Sequence, residues 1–231
     1  MKSKLLSLVS LAAVGIGTAL GAISGAQAAT LYTQPLSTAV SGFASSTSSG
    51  GSQQLADPFS ITGGGTINQV TWYGYNRVTS GPFGTFSVFF YANSTVTPGT
   101  PGASLFSVTG VTPTQTDTGQ NQSGAEIFQF SFDLSPGLVV PTGTTEFFSV
   151  LEASPTSAPF NFVWSTSAQT AGAVATTNGG TTWLPLSFNQ AFTLSNVPVS
   201  TVPLPAALPL FASGLVGLVL LGWRRKKAAA G

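Results

Sequence analysis

Carboxylates carry almost all the acid–base chemistry open to this chain. It contains no histidine and no cysteine, so the commonest general base and the thiol nucleophile are both absent. Serines are plentiful, but none stands in a G-x-S-x-G turn. Every lysine sits near an end of the chain, at Lys2, Lys4, Lys226 and Lys227, which removes a Ser–Lys dyad from the body between. What remains is catalysis by facing carboxylates, as in glycoside hydrolysis, with Glu126, Asp133, Glu146 and Glu152 as candidates. Glu146 and Glu152 share strand parity with Phe148 and Val150 but fall at the ends of that stretch. Charges so placed fit a rim that keeps sheet edges soluble. The expectation is a non-enzymatic protein with no catalytic residues.

Binding chemistry is better represented. Asp57 and Asp117 read as isolated loop acids, and no D-x-[DN]-x-[DN]-G run accompanies them. No metal ligand set is assigned, and a structural calcium ion is the one cofactor that oxygen-rich loops could hold. Trp72, Tyr73, Tyr75, Trp164 and Trp183 are large enough to stack on sugar rings, although alternation places most aromatic residues here in a core. Tyr73 and Tyr75 fall on the face opposite Val70 and Trp72. With Arg77 they form an i, i+2, i+4 stripe of aromatic and cation, the candidate glycan contacts.

These residues must be positioned by strands. Glu126–Leu134 alternates most clearly, with Phe128, Phe130, Phe132 and Leu134 against Gln129, Ser131 and Asp133. Period two of this kind puts one face in a core and one in water. Thr66–Tyr75, Thr85–Ala92, Leu105–Val108, Thr145–Glu152, a run through Phe160, Phe162 and Trp164, and Phe192–Leu194 read the same way. Asn178-Gly179 signals a type I′ hairpin between Ala173–Thr177 and Thr181–Leu186. Pro, Gly, Asn and Thr punctuate Thr97–Gly102 and Ser135–Gly143. Residues 29–54 read as a flexible start, low in complexity over Ser45–Gly51. No body segment shows a capped helical period. Seven to nine short antiparallel strands predict an all-β sandwich, with a jelly roll as its expected form.

The two ends carry addresses. Lys2 and Lys4 precede an uncharged run from Leu5 to Ile23, and Ala26-Gln27-Ala28 fits the small-residue cleavage rule. A signal peptide over 1–28 with a mature start at Ala29 is expected, which routes the chain through secretion machinery. Near the other end, Leu210–Trp223 is apolar and about 21 Å long as a helix, short of the roughly 30 Å of a bilayer core. Trp223 suits the headgroup level, and Arg224, Arg225, Lys226 and Lys227 should stay cytoplasmic. The body then lies on the far side of the inner membrane.

Val202-Pro203-Leu204-Pro205-Ala206, followed by Leu210-Phe211, Ser213-Gly214-Leu215, Gly217, Gly222-Trp223 and the basic tail Arg224–Lys227, resembles the PEP-CTERM class of bacterial sorting signals in its VPLPA variant. Leu204 stands where the commoner form has glutamate. The likeness covers about an eighth of the chain. It implies an exosortase substrate, cut near the proline motif by a membrane-embedded cysteine transpeptidase-like enzyme and passed to the envelope or extracellular polysaccharide. Ala56-Asp57-Pro58-Phe59, Ile67–Tyr75, Phe86–Tyr91, Pro101-Gly102 before Leu105-Phe106, Gly179–Trp183 and Phe192–Leu194 also resemble β-sandwich domains found ahead of this signal. That likeness implies a fold and brings no activity.

The domain between the signals, 29–201, keeps Arg77 as its one cation against six carboxylates, a net of −5. It has no basic patch for nucleic acid and cannot adhere to anionic lipid by charge. Ser, Thr, Asn, Gln and Gly must supply its solubility, and such surfaces can hydrogen-bond sugars or one another. The expected role is an exported surface or extracellular-matrix protein, sorted through 202–231 and associating with exopolysaccharide or with itself. A carbohydrate-binding module with a defined aromatic site and a tail-anchored periplasmic domain are the alternatives.

Overall fold

The computed structural model describes residues 28–39, 41–48, 51–77, 83–122, 124–153, 162–169 and 172–197. The run before Ala28 expected as a signal peptide, Phe160, and the expected sorting motif and tail at 202–231 lie outside the described residues. Fourteen strands are described and no helix: β1 (Ala29–Gln34), β2 (Gly42–Ala44), β3 (Ser46–Ser48), β4 (Gly51–Ser60), β5 (Gly65–Asn76), β6 (Thr85–Asn93), β7 (Pro101–Val111), β8 (Thr114–Gln122), β9 (Ala125–Val140), β10 (Thr145–Ala153), β11 (Phe162–Ser165), β12 (Val174–Thr176), β13 (Leu184–Pro185) and β14 (Phe192–Asn196).

They form two sheets, antiparallel except where β3 meets β10. In the first, β5 is central. β9 lies along one side of it and carries β8; β14 and β11 share the other side and carry β1 and β2. The second runs β7, β6, β10, β4, β12, β13, with β3 bridging β4 and the end of β10. The β4–β5 and β9–β10 turns cross between the sheets and touch, the Gly143 N–H donating to Ile61 O at 3.3 Å.

Alternation dictates which side chains meet. Val70, Trp72, Phe130, Leu134, Phe162, Trp164, Phe192 and Leu194 of the first sheet pack against Leu55, Phe59, Phe86, Val88, Phe90, Phe148 and Val150 of the second. Trp72 stacks on Phe130 at 5.7 Å and meets Phe86 nearly edge-on at 5.5 Å. Phe148 meets Trp164 edge-on at 5.6 Å. Offset and T-shaped pairs are the favoured ring geometries, which add to the burial of the rings themselves. A smaller cluster of Ala56, Phe147 and Val174 lies on the outer face of the second sheet, with Tyr91 and Trp183 packed on it.

Several expectations need correction. Residues 29–54, expected to be flexible, carry β1 to β3 and the start of β4, and Ser45 and Ser46 are fully buried. β8 was not expected from TQTDTGQNQ, which offers no apolar period. β9 continues through Ser135–Val140, where a connection was expected. β12 and β13 do pair, Val174 with Pro185 and Ala175 with Leu184. Their turn is longer than a two-residue hairpin, because Asn178 Oδ1 accepts from Thr176 Oγ1 (2.7 Å) and from Thr182 N (2.9 Å), closing a wider loop.

The edge strands β7 and β8 are irregular. The β6–β7 ladder shifts register three times, and β8 shifts once between Asp117 and Asn121.

Truncating Phe148 to alanine removes a ring at the junction of both sheets. It should cost about 3–5 kcal/mol. Leu184→Ala, at a position 64% exposed, should change stability by less than about 0.5 kcal/mol. Denaturant unfolding of both variants checks the contrast.

Candidate functional site

The outer face of the first sheet carries the aromatic–cation stripe. The bulge between Ile67 and Gln69 sets the phase of β5, so Val70 and Trp72 point inward while Tyr73, Tyr75 and Arg77 point out. Tyr73 pairs with Gln129 of β9, and Tyr75 lies between Ile127 of β9 and Val163 of β11.

Tyr75 and Arg77 come together at a hollow of about 430 Å³, lined also by Gly42, Phe43, Ala44, Gln53 and Val163. That volume is within the range of small-ligand sites. Tyr73 is not among the lining residues. Burial raises the Tyr75 phenol pKa, and the nearby Arg77 guanidinium works against that rise. Phe43 is partly exposed and stacks on Phe188 at 3.8 Å, which stiffens one wall. Gly42 keeps the floor open: a Cβ there would stand 2.5 Å from Val163 Cγ1 and 2.7 Å from Trp164 O. Gly74 serves β11 in the same way on its other side, since a Cβ would lie 2.3 Å from the Phe162 ring. The two glycines let β11 insert between β2 and β5, which carries Val163 into the hollow.

Glu146 and Glu152 are not where a catalytic pair needs them. Glu146 and Glu152 are 5% and 0% exposed, so neither is a rim charge. Parity with Phe148 and Val150 turns both inward. They stand six residues apart on one strand, roughly 20 Å along β10, far beyond the 5–9.5 Å of a glycosidase pair. Glu152 is a structural acceptor. It takes Ser46 Oγ (2.9 Å), Gly84 N (2.8 Å) and Phe162 N (3.0 Å), tying β3 and the starts of β6 and β11 to β10. Glu146 accepts only a 3.4 Å bond from Thr144 Oγ1, and its Oε2 lacks a partner among the described residues. Burial raises its pKa.

Asp57 and Asp117 are strand residues rather than loop acids. Asp117 lies in β8, where its carboxylate accepts the Gly119 N–H at 2.8 Å. Asp57 is fully buried in β4, opposite Phe148. It accepts Gln34 Nε2 at 2.9 Å and Gln190 N at 2.5 Å, linking the second sheet to residues at both chain ends of the first. Burial pushes its pKa from 3.8 to about 7, against these two hydrogen bonds. Among the described residues no three acidic side chains gather where they could hold a metal.

A second aromatic group joins Trp183, one of the candidate platforms, to two residues that the sequence analysis does not single out. Phe89 and Tyr91, on the face of β6 opposite Phe86, Val88 and Phe90, stack at 5.9 Å, and Trp183 meets Tyr91 at 6.1 Å. Gln54 Nε2 donates to Tyr91 Oη (3.1 Å) and Ser149 Oγ (2.8 Å) beneath them. The signal is the outward half of the alternation in Thr85–Ala92, which places Phe89 and Tyr91 on one face.

No protein-family model matches the chain, and no curated protein matches it.

Two outcomes follow for the buried acids. The folded pKa of Asp57 lies above its unfolded value, so between about pH 4 and 7 the folded chain holds the extra proton. Raising the pH through that window removes stability, on the order of a few kcal/mol, and acidifying restores it. Thermal unfolding from pH 4.5 to 8 should show the decline, and Asp57→Asn should flatten it. Glu152→Gln replaces an acceptor oxygen by a donor and should cost about 1–3 kcal/mol, measured by denaturant unfolding at pH 7.

Proposed function

We propose that this chain is an exported, non-enzymatic protein of the bacterial surface or extracellular matrix that associates with exopolysaccharide. The observation that carries the reading is the hollow where β2, β5 and β11 of the first sheet meet β4 of the second, lined by Tyr75, Arg77 and Gln53 together. Stacking on a ring face and hydrogen bonding at its edge is how a sugar is held without chemistry being done to it. Glu152 and Asp57, by contrast, have their oxygens occupied inside the fold.

The tail Val202–Ala206, with its apolar run and Arg224–Lys227, supplies the address. The signal peptide exports the chain, the C-terminal span holds it as an inner-membrane intermediate, and an exosortase-like enzyme cuts near Pro203–Ala206. We read the body as a jelly roll. The support is the crossing of the β4–β5 and β9–β10 connections between the sheets, with β4 on β10 and β5 on β9.

A second reading, a carbohydrate-binding module with a defined aromatic site, is favoured by Phe89, Tyr91 and Trp183 on the opposite outer face. The two readings differ in affinity. A matrix protein binds weakly at many places, and a module binds one oligosaccharide at one strip.

Intact mass of the protein from envelope and medium, with and without the sorting enzyme, tests the assignment. A body ending near Pro203–Ala206 only when the enzyme is present is expected. A chain ending at Gly231 in both strains would overturn sorting and leave a tail-anchored periplasmic domain. Co-sedimentation of the released body with the cell's own polysaccharide tests association; a body wholly in the supernatant would end that part.

A further inference from the structure

We propose that the Tyr75–Arg77 hollow selects a carboxylate-bearing sugar, so that the favoured polymer is a polyuronate rather than a neutral glucan. This rests on the polysaccharide role proposed above and names its ligand class.

Arg77 is the only cation between Ala29 and Thr201. Its side chain is exposed, at the edge of the outward stripe. It stands beside the half-buried Tyr75 ring, at a hollow whose other lining residues are uncharged. None of the six carboxylates pairs with it, and all six are among the described residues. Asp57, Asp117, Asp133 and Glu152 accept hydrogen bonds elsewhere, Asp133 from Gln69 Nε2 at 2.8 Å. Glu146 is buried in the second sheet. Glu126 is nearest by register, because Tyr75 pairs with Ile127. Strand alternation turns it to the face of Phe128 and Phe130.

Among the described residues the guanidinium has no carboxylate partner, which leaves its donors to what enters the hollow. A planar fork of N–H groups matches a carboxylate in a bidentate way that it cannot match a hydroxyl. With the carboxylate on Arg77, the ring of the same sugar lies toward Tyr75, and the Gln53 amide can bond its hydroxyls. The net charge of −5 does not prevent this. Asp133 stands opposite Gln69, six residues from Tyr75 along β5 and so roughly 20 Å away, and the screening length at 0.15 M salt is about 8 Å.

The test is affinity electrophoresis of the protein as its host processes it, recovered from the envelope or medium. Gels contain polygalacturonate, the same polymer with its carboxyl groups reduced to alcohols, or dextran. Retardation by polygalacturonate alone is expected. Arg77→Gln should weaken it about tenfold, Arg77→Lys should retain part of it, and Tyr75→Ala should weaken it as well. Arg77 is exposed, so unchanged thermal unfolding of Arg77→Gln guards against a folding effect. Equal retardation by polygalacturonate and its reduced form, or an unchanged Arg77→Gln variant, overturns the inference while leaving a polysaccharide-binding protein. Retardation by none of these polymers, in a chain that still co-sediments with the cell's own polysaccharide, overturns it too. Loss of both would overturn the polysaccharide role itself.

Discussion

The stack of Trp72 on Phe130, met by Phe86 from the facing sheet, sets the separation that the rest of the molecule accepts. Sandwich cores are about 10 Å thick, and rings from both sides fill that space here. Nothing else in this chain could do so. It has no disulfide to staple the layers, no metal cluster among its described residues and very few ion-pairing partners. Phe162 and Phe192 extend the same packing toward β11 and β14. Gly42 and Gly74 flank β11 where a Cβ would meet Val163 and Trp164 O on one side and the Phe162 ring on the other.

Once rings fix the spacing, the buried polar groups have defined work. Glu152 gathers donors from three separate segments, and Asp57 joins Gln34 and the Gln190 backbone across the sheets. These contacts are directional where ring packing is not. They specify which strand ends meet, and they explain how strands as short as β3 and β11 hold their places. Asp57 pays for that role with a carboxyl whose charge the surroundings resist.

Much of this was legible in the chain. The strict alternation of Phe128, Phe130, Phe132 and Leu134 located β9 and its inward face, and Val70 with Trp72 did the same for β5. The rest failed for identifiable reasons. TQTDTGQNQ pairs through its backbone and buries little, so β8 left no apolar trace. Asp57 reads as an isolated loop acid, yet it sits inside β4, where an amide and a backbone N–H meet the carboxylate. Glu146 and Glu152 had inward parity in plain view, and their charge argued them outward. At the site, alternation exposed Tyr75 and Arg77. It could not show that Gly42 and Gln53, from strands distant in sequence, complete the hollow, nor that Tyr73 falls outside it.

The irregular flank formed by β7 and β8 has a consequence for life at high density. Both strands end their sheets, and a straight bare edge would recruit the edge of a neighbouring copy. With so little charge on its surface, this protein has weak electrostatic means of keeping copies apart. The broken registers of β6–β7 and β8–β9 do that work sterically, because a bulged and twisted edge offers no run of evenly spaced donors and acceptors. Crowded copies are therefore less able to join through β7 or β8.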